Sequence, residues 1–473
     1  MKHEDILTAL EEISDKHIKE VEKAPKRKRR TFLKVAVAAV LVITIGVNIL
    51  YAPQRIRAYA VAEASEPRIM VRPDYEKYND RDEWRADLTV WEAERDLRNE
   101  IADLATAGLI NFFTEGNNQF LQTKKSENKI WSPVNAYIGL AMTAELTEGE
   151  TREQILTLLG AEDAETLRKQ VSAVWERVYQ DNSHEICVLA NSLWLEEGLK
   201  YNRDAMETLA YYYYASVYQG DLGSKKTNRD IAAWINNNTG KFLSESTKNI
   251  ELSPETIMAI YSTLYFQAKW SDEFSESKNT EDVFYMPEGT TQAVYMNKKL
   301  KQMYYYWGES FGAVSLSLKN GCRMWFILPD ENKTVNDVLD DGTYMEMVLS
   351  NRWEDSKYMK VNLSVPKFDV ASTMDLSEGL KSMGVTKAFT EKDAEFESLT
   401  ADSPIYLTGA NQSVRVQIDE EGVKAAVYIE IPGAGSAEPP EEIIDFVLNR
   451  PFLFVITNDN IPLFSGCVSN PEN

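Results

Sequence analysis

Residues 418–442 read IDEEGVKAAVYIEIPGAGSAEPPEE, and the two halves of this stretch cannot share one structure. In the first half Val423, Ala425, Val427 and Ile429 alternate with Lys424, Ala426, Tyr428 and Glu430. A period of two is the pattern of a strand with one buried face. In the second half Pro432, Gly433 and Gly435 stop the strand, and Pro439-Pro440 removes two consecutive ladder donors. A sheet can accept the first half and must exclude the second. The fold therefore needs a sheet with room for this strand and an exposed loop running on from it.

The rest of the chain has the means to build such a sheet. Its 473 residues are 44% apolar and include 10 Trp, 23 Tyr and 17 Phe, enough for a large core in one to three domains. The formal charge is −23; residues 1–34 hold 10 Lys/Arg against 7 Asp/Glu, which leaves −26 on the remainder. A body this acidic repels nucleic acid, and no nucleic-acid partner is expected.

An uncharged apolar run, VAVAAVLVITIGVNILY, spans residues 35–51 behind the basic cluster Lys26 to Arg30. Its length suits a short membrane-spanning helix. The positive-inside rule then places residues 1–34 in the cytoplasm as a basic leader, and everything after residue 52 outside. The rival reading is a cleaved secretory signal, with Ala58-Tyr59-Ala60 as the cleavage-like site; Arg55 and Arg57 before it weigh against this. Residues 52–107 read as a charged stalk that becomes helix-prone, and residues 108–473 as the main domain.

Within that domain TEGETREQILTLLG carries a capping-box spacing, Thr151 to Gln154, ahead of an apolar helical face. IMAIYSTLYFQAKW alternates as a strand, and RMWFILPD and RPFLFVITNDNIPLFSGCV are apolar strand runs. Helices early and strands late predict an α+β fold. The three cysteines, Cys187, Cys322 and Cys467, have no paired spacing and read as buried thiols in strands. The only histidines are His3, His17 and His184, so a His-dependent hydrolase would have to rest on His184. HEICV is not HExxH, and no Walker, GxGxxG or GxSxG motif occurs. No enzyme activity, cofactor or metal is expected.

Five ordered segments resemble the serpin family over residues 108–473. They are IWSPVNAYIGLAM, YFQAKWSDEF, VPKFDVASTMDLSEGLKSMGVTKAF, IDEEGVKAAV and the closing run NRPFLFVITNDNIPLFSGCVSNP. Residues 1–34 resemble, more weakly, the basic leaders of clostridial-type membrane proteins. The serpin resemblance implies three β-sheets, eight to nine helices and an exposed reactive loop. It also implies a monomeric suicide inhibitor of serine proteases. The target attacks the loop, and the cleaved loop then enters the main sheet as a new strand before the acyl-enzyme can hydrolyse.

The same resemblance assigns roles. Glu420, Glu421, Gly422, Val423, Lys424, Ala425, Ala426 and Val427 form the loop hinge. Ser132, Pro133, Asn135, Ser262 and Gln412 form the shutter where the sheet parts, with Gln412 in place of the usual His. Trp270 lies beneath the entry point. The hinge-to-bait count puts the scissile bond at Ser436–Ala437, whereas counting back from Phe446 puts it near Glu438. Small residues Gly433 to Ser436 suit elastase-like or subtilisin-like targets, and Glu438, Glu441 and Glu442 would steer a basic one. Val427, Tyr428 and Ile429 are bulkier than the usual alanines. That motivates the alternative of a non-inhibitory surface binding protein.

Overall fold

The computed structural model describes residues 60–65, 73–78, 80–123, 127–181, 186–319, 321–350, 353–401, 404–423 and 441–472. The apolar run 35–51, His184, and residues 424–440 with the expected scissile bond lie outside the described residues.

Among the described residues the chain forms nine α-helices. They are α1 (Arg81–Leu121), α2 (Pro133–Leu146), α3 (Gly149–Leu158), α4 (Ala164–Val178), α5 (Arg203–Tyr212), α6 (Lys225–Asn238), α7 (Val335–Asp341), α8 (Thr343–Ser350) and α9 (Ser377–Ser382). Short polar side chains start several of them by accepting an otherwise orphaned amide: Asp163 from Thr166, Asn202 from Asp204, and Ser224 from Thr227. Thr334 and Asp337 close a reciprocal box at α7. The helix α2 is apolar nearly all round, with Pro133 at its first turn where a missing N–H costs nothing. It packs between the main sheet and the C-terminal strands.

Seventeen strands among the described residues make three sheets. The strands are β1 (Ala60–Ala62), β2 (Lys129–Trp131), β3 (Gln180–Asp181), β4 (Ile186–Glu196), β5 (Ala215–Gly220), β6 (Met258–Lys269), β7 (Thr280–Met286), β8 (Gly289–Trp307), β9 (Phe311–Ser317), β10 (Cys322–Pro329), β11 (Ser356–Pro366), β12 (Phe368–Asp375), β13 (Asn411–Ile418), β14 (Gly422–Val423), β15 (Ile443–Val447), β16 (Phe452–Asn458) and β17 (Ile461–Val468). The main sheet runs β1-β5-β4-β6-β14, with β3 on β4. A nine-stranded sheet runs β15-β11-β8-β9-β10-β16-β17-β2, with β7 on β8. β12 and β13 form a separate antiparallel pair. The α+β expectation holds, and the three cysteines are free and buried in β4, β10 and β17.

Two local expectations change. The capping box at Thr151 does not form, because α3 starts earlier, at Gly149. The Thr151 amide instead donates to Glu395 (3.0 Å), and Gln154 Oε1 accepts from the Thr386 and Lys387 amides. Distant partners have claimed both members of the spacing. The stretch expected as a stalk is partly built into the body: Ala60–Ala62 pairs antiparallel with the outer edge of β5. α1 crosses residues 107 and 108 without a break.

Candidate functional site: a strand-accepting cleft

β6 and β13 flank a narrow cleft with a cavity volume of about 40 Å³, and among the described residues no ladder joins them. Its walls include Leu264 and Phe266 from β6, Val414 and Val416 from β13, Phe464 from β17, and Val423. Alternation builds these walls. On β6, Leu264, Phe266 and Ala268 are buried, while Tyr265 and Gln267 between them are half-exposed. A sheet edge beside an apolar slot presents ladder groups that one added strand can pair.

The chain leading to residues 424–440 is already turned into this slot. After β13, Asp419 Oδ1 accepts from the Glu421 amide (2.9 Å) and the Gly422 amide (3.2 Å), and Asp419 N donates to Gly422 O (3.0 Å). This tight turn reverses the chain, so that Gly422 pairs with Lys269 and Val423 with Ala268, antiparallel to β6. Gly422 has φ of 152°, and a Cβ there would come within 2.4 Å of Ala268 O and 2.5 Å of Lys269 Cα. Both obstacles are backbone, so only glycine fits. Val423 is 5% exposed.

Trp270 holds the turn from below. It is fully buried; its Nε1 donates to Asp419 O (2.9 Å) and its amide to Glu421 O (3.1 Å). The Phe274 amide donates to Glu420 O (2.9 Å). The Glu420 carboxylate is buried against Lys367 and Asn279. Burial pushes this carboxyl up, but Lys367 and Asn279 outweigh burial and hold it below its ordinary value. Lys269, itself buried, faces Glu421 (3.5 Å) and Glu273 (3.7 Å).

At the inner wall the Ser132 amide donates to Gln412 Oε1 (2.8 Å), and Gln412 Nε2 donates to Ser132 O (3.0 Å). Ser132 Oγ donates to Leu463 O (2.7 Å), and Asn135 Nδ2 to Ser262 O (3.4 Å). Ser132, Asn135 and Ser262 all line the cleft. Among the described residues Asn135 Oδ1 and Ser262 Oγ are buried without a partner, an uncommon condition that a bonding strand can relieve. So Ser132, Pro133, Asn135, Ser262 and Gln412 come together around one slot, and Trp270 with Glu420–Val423 stand at its mouth. Lys424, Ala425, Ala426, Val427, Ser436 and Ala437 lie outside the described residues.

Sequence reasoning missed Asp419, Lys367 and Asn279. A signal existed for two of them: the D-x-x-G spacing is a turn signature, and Lys367 sits inside the VPKF segment. Nothing local marks Asn279.

Comparison with known proteins agrees with this architecture. The family model described as serpin (serine protease inhibitor) matches residues 109–471. The chain belongs to the serpin family. It is 26% identical to the alpha-1-antiproteinase of Callosciurus caniceps, across 73% of this chain and 83% of that one. It is 26% identical to Serpin-ZX of Arabidopsis thaliana, across 73% and 93%. Among solved structures, the native state of the thermophilic serpin tengpin superposes with a TM-score of 0.68 at 26% identity, covering 77% of this chain and 94% of that one.

Proposed function

We propose that this protein is a membrane-anchored, outward-facing inhibitor that covalently traps serine proteases with a preference for small residues. The reading rests above all on Val423, seated at the mouth of the cleft in register with β6. Extending that register pairs Ala425 with Phe266, Val427 with Leu264 and Ile429 with Ser262. Cross-strand partners share a face, so these apolar loop residues would join the buried side. Lys424, Ala426 and Tyr428 would point outward. The end of β6 at Met258 corresponds to Gly433. A bond at Ser436–Ala437 therefore lies just beyond a fully inserted strand, where a tethered protease is carried the length of the sheet.

In this reading Ser436 supplies the acyl carbonyl, and Gly433 to Ser436 suit the narrow specificity pockets of elastase-like and subtilisin-like enzymes. Residues 420–427 are the hinge. Ser132, Pro133, Asn135, Ser262 and Gln412 gate the slot, and an entering backbone would satisfy Asn135 Oδ1 and Ser262 Oγ. Deformation of the target's oxyanion hole then stops deacylation. The apolar run 35–51 tethers the inhibitor, with residues 1–34 inside the cell.

The test is to incubate the full chain with pancreatic elastase and with subtilisin, followed by denaturing gels and mass spectrometry. A denaturation-stable band at the summed mass, with a released fragment beginning at Ala437, is the expected result. Cleavage by both enzymes without such a band would transfer the assignment to a non-inhibitory binding protein.

Loop insertion is expected to be flat from roughly pH 5.5 to 8, because Gln412 stands where a titrating His would sit. Glu420 has a lowered value, so its hold on the hinge is complete above the ordinary carboxylate range. That hold is lost only as pH falls through the lowered value. Trapping rates across a pH series, with target activity normalised, check this; a step inside the window refutes it.

A further inference from the structure

The cleft is bridged on its outer side by one arginine. Arg415 stands on β13 and reaches the segment that follows α6. Its guanidinium lies over the Phe242 ring, 4.6 Å from the centroid, and its Nη1 donates to Phe242 O (3.3 Å). Its Nε and Nη2 grip Asp369 of β12 at 2.8 and 2.6 Å. Phe242, Leu243 and Arg415 all line the cleft. The segment around Phe242 belongs to the β6 side, since α6 packs on β6. Asp369 and Arg415 belong to the β12–β13 pair. One side chain thus joins the two walls that an entering strand must push apart by about 4.8 Å.

We propose that Arg415 is a latch on the cleft: Asp369 orients its guanidinium, and its stacking and hydrogen bond to Phe242 hold the slot closed until insertion begins. This deepens the inhibitor reading and rests on it, since a latch matters only if a strand enters. Arg415 acts through the two cleft walls as a positioning residue. The chemistry requires arginine. A planar guanidinium can stack on Phe242 while it grips both Asp369 oxygens and a carbonyl, whereas the point charge of a lysine ammonium cannot reproduce that planar fork.

The experiment separates the latch from the trap by using no protease. A synthetic peptide of residues 422–433 is offered to the full chain, and the rate of stable complex formation is followed on native gels. Arg415→Met, Arg415→Lys and Phe242→Ala are each expected to anneal the peptide about three- to thirty-fold faster than the parent, the range for one lost cation–π contact. The Arg415→Met/Phe242→Ala pair should be no faster than the faster single variant. Arg415→Lys behaving as the parent would mean that only the ion pair matters. That result overturns the latch, as does equal annealing in all variants or annealing in none. Failure to trap protease with normal peptide annealing would refute the inhibitor reading and leave the latch standing.

Discussion

Replacing Val423 with Arg is expected to turn the protein from a trap into a substrate. Val423 is already paired with Ala268 and is 5% exposed, at the first rung of the slot. The cleft it shares with Leu264, Phe266, Val416 and Phe464 has no carboxylate in its lining to pair a guanidinium. Burying an unpaired charge costs several kcal/mol even after relaxation, and each 1.4 kcal/mol is about a factor of ten. Insertion competes with hydrolysis of the acyl-enzyme, so a penalty at the first rung slows insertion and leaves hydrolysis untouched. The cut at Ser436–Ala437 should continue at the parent rate, while the trapped fraction falls about tenfold or more. Quantifying stable complex against cleaved chain on one gel measures both. A Val423→Arg variant that traps as well as the parent would mean that the inward face has been assigned wrongly.

Cutting the loop is expected to raise the melting midpoint by about 10 °C or more. Among the described residues β13 pairs only with β12, and beyond the two rungs of β14 the same edge of β6 carries no ladder. A strand entering between β6 and β13 pairs with both, and its apolar residues leave water at roughly 1.5–3 kcal/mol per large side chain. For a domain of about 400 residues the unfolding entropy is large, so each kcal/mol moves the midpoint by only about 1 °C. A rise of that size therefore reports a strongly favourable insertion and a native state held by kinetics rather than by lowest free energy. Calorimetry before and after limited proteolysis gives the comparison. An unchanged midpoint with the loop fully cut would leave the cleft unfilled and remove the basis for trapping.

Much of the site was legible because it is carried by short contiguous segments. The alternation in β6, the buried helix beginning at Ser132-Pro133 and the glycine of the DEEG turn are all local patterns. The structure places them around one slot. What escaped were pairings that no window of sequence contains. Asp419 O meets Trp270 across 149 residues, Arg415 meets Phe242 across 173, and Thr151 meets Glu395 across 244. The last of these dissolved a capping box that the local spacing supported. The edge strand Ala60–Ala62 was hidden for the same reason, since its partner Val217 offers no signal near it in the chain.

The alternation of residues 423–430 and the missing amide donors of Pro432, Pro439 and Pro440 are written in the sequence whatever surrounds them. Their periodicity and missing donors are covalent facts. The apolar face of β6 and the need for glycine at a reversal before Val423 belong to the same class. The tertiary structure alone decided that β6 and β13 stand apart, that Trp270 and Lys367 both hold the turn, and that Arg415 spans the opening. A strand's pattern states which face it will bury. Which edge it leaves free depends on every other strand competing for that edge, and that competition is settled only in three dimensions.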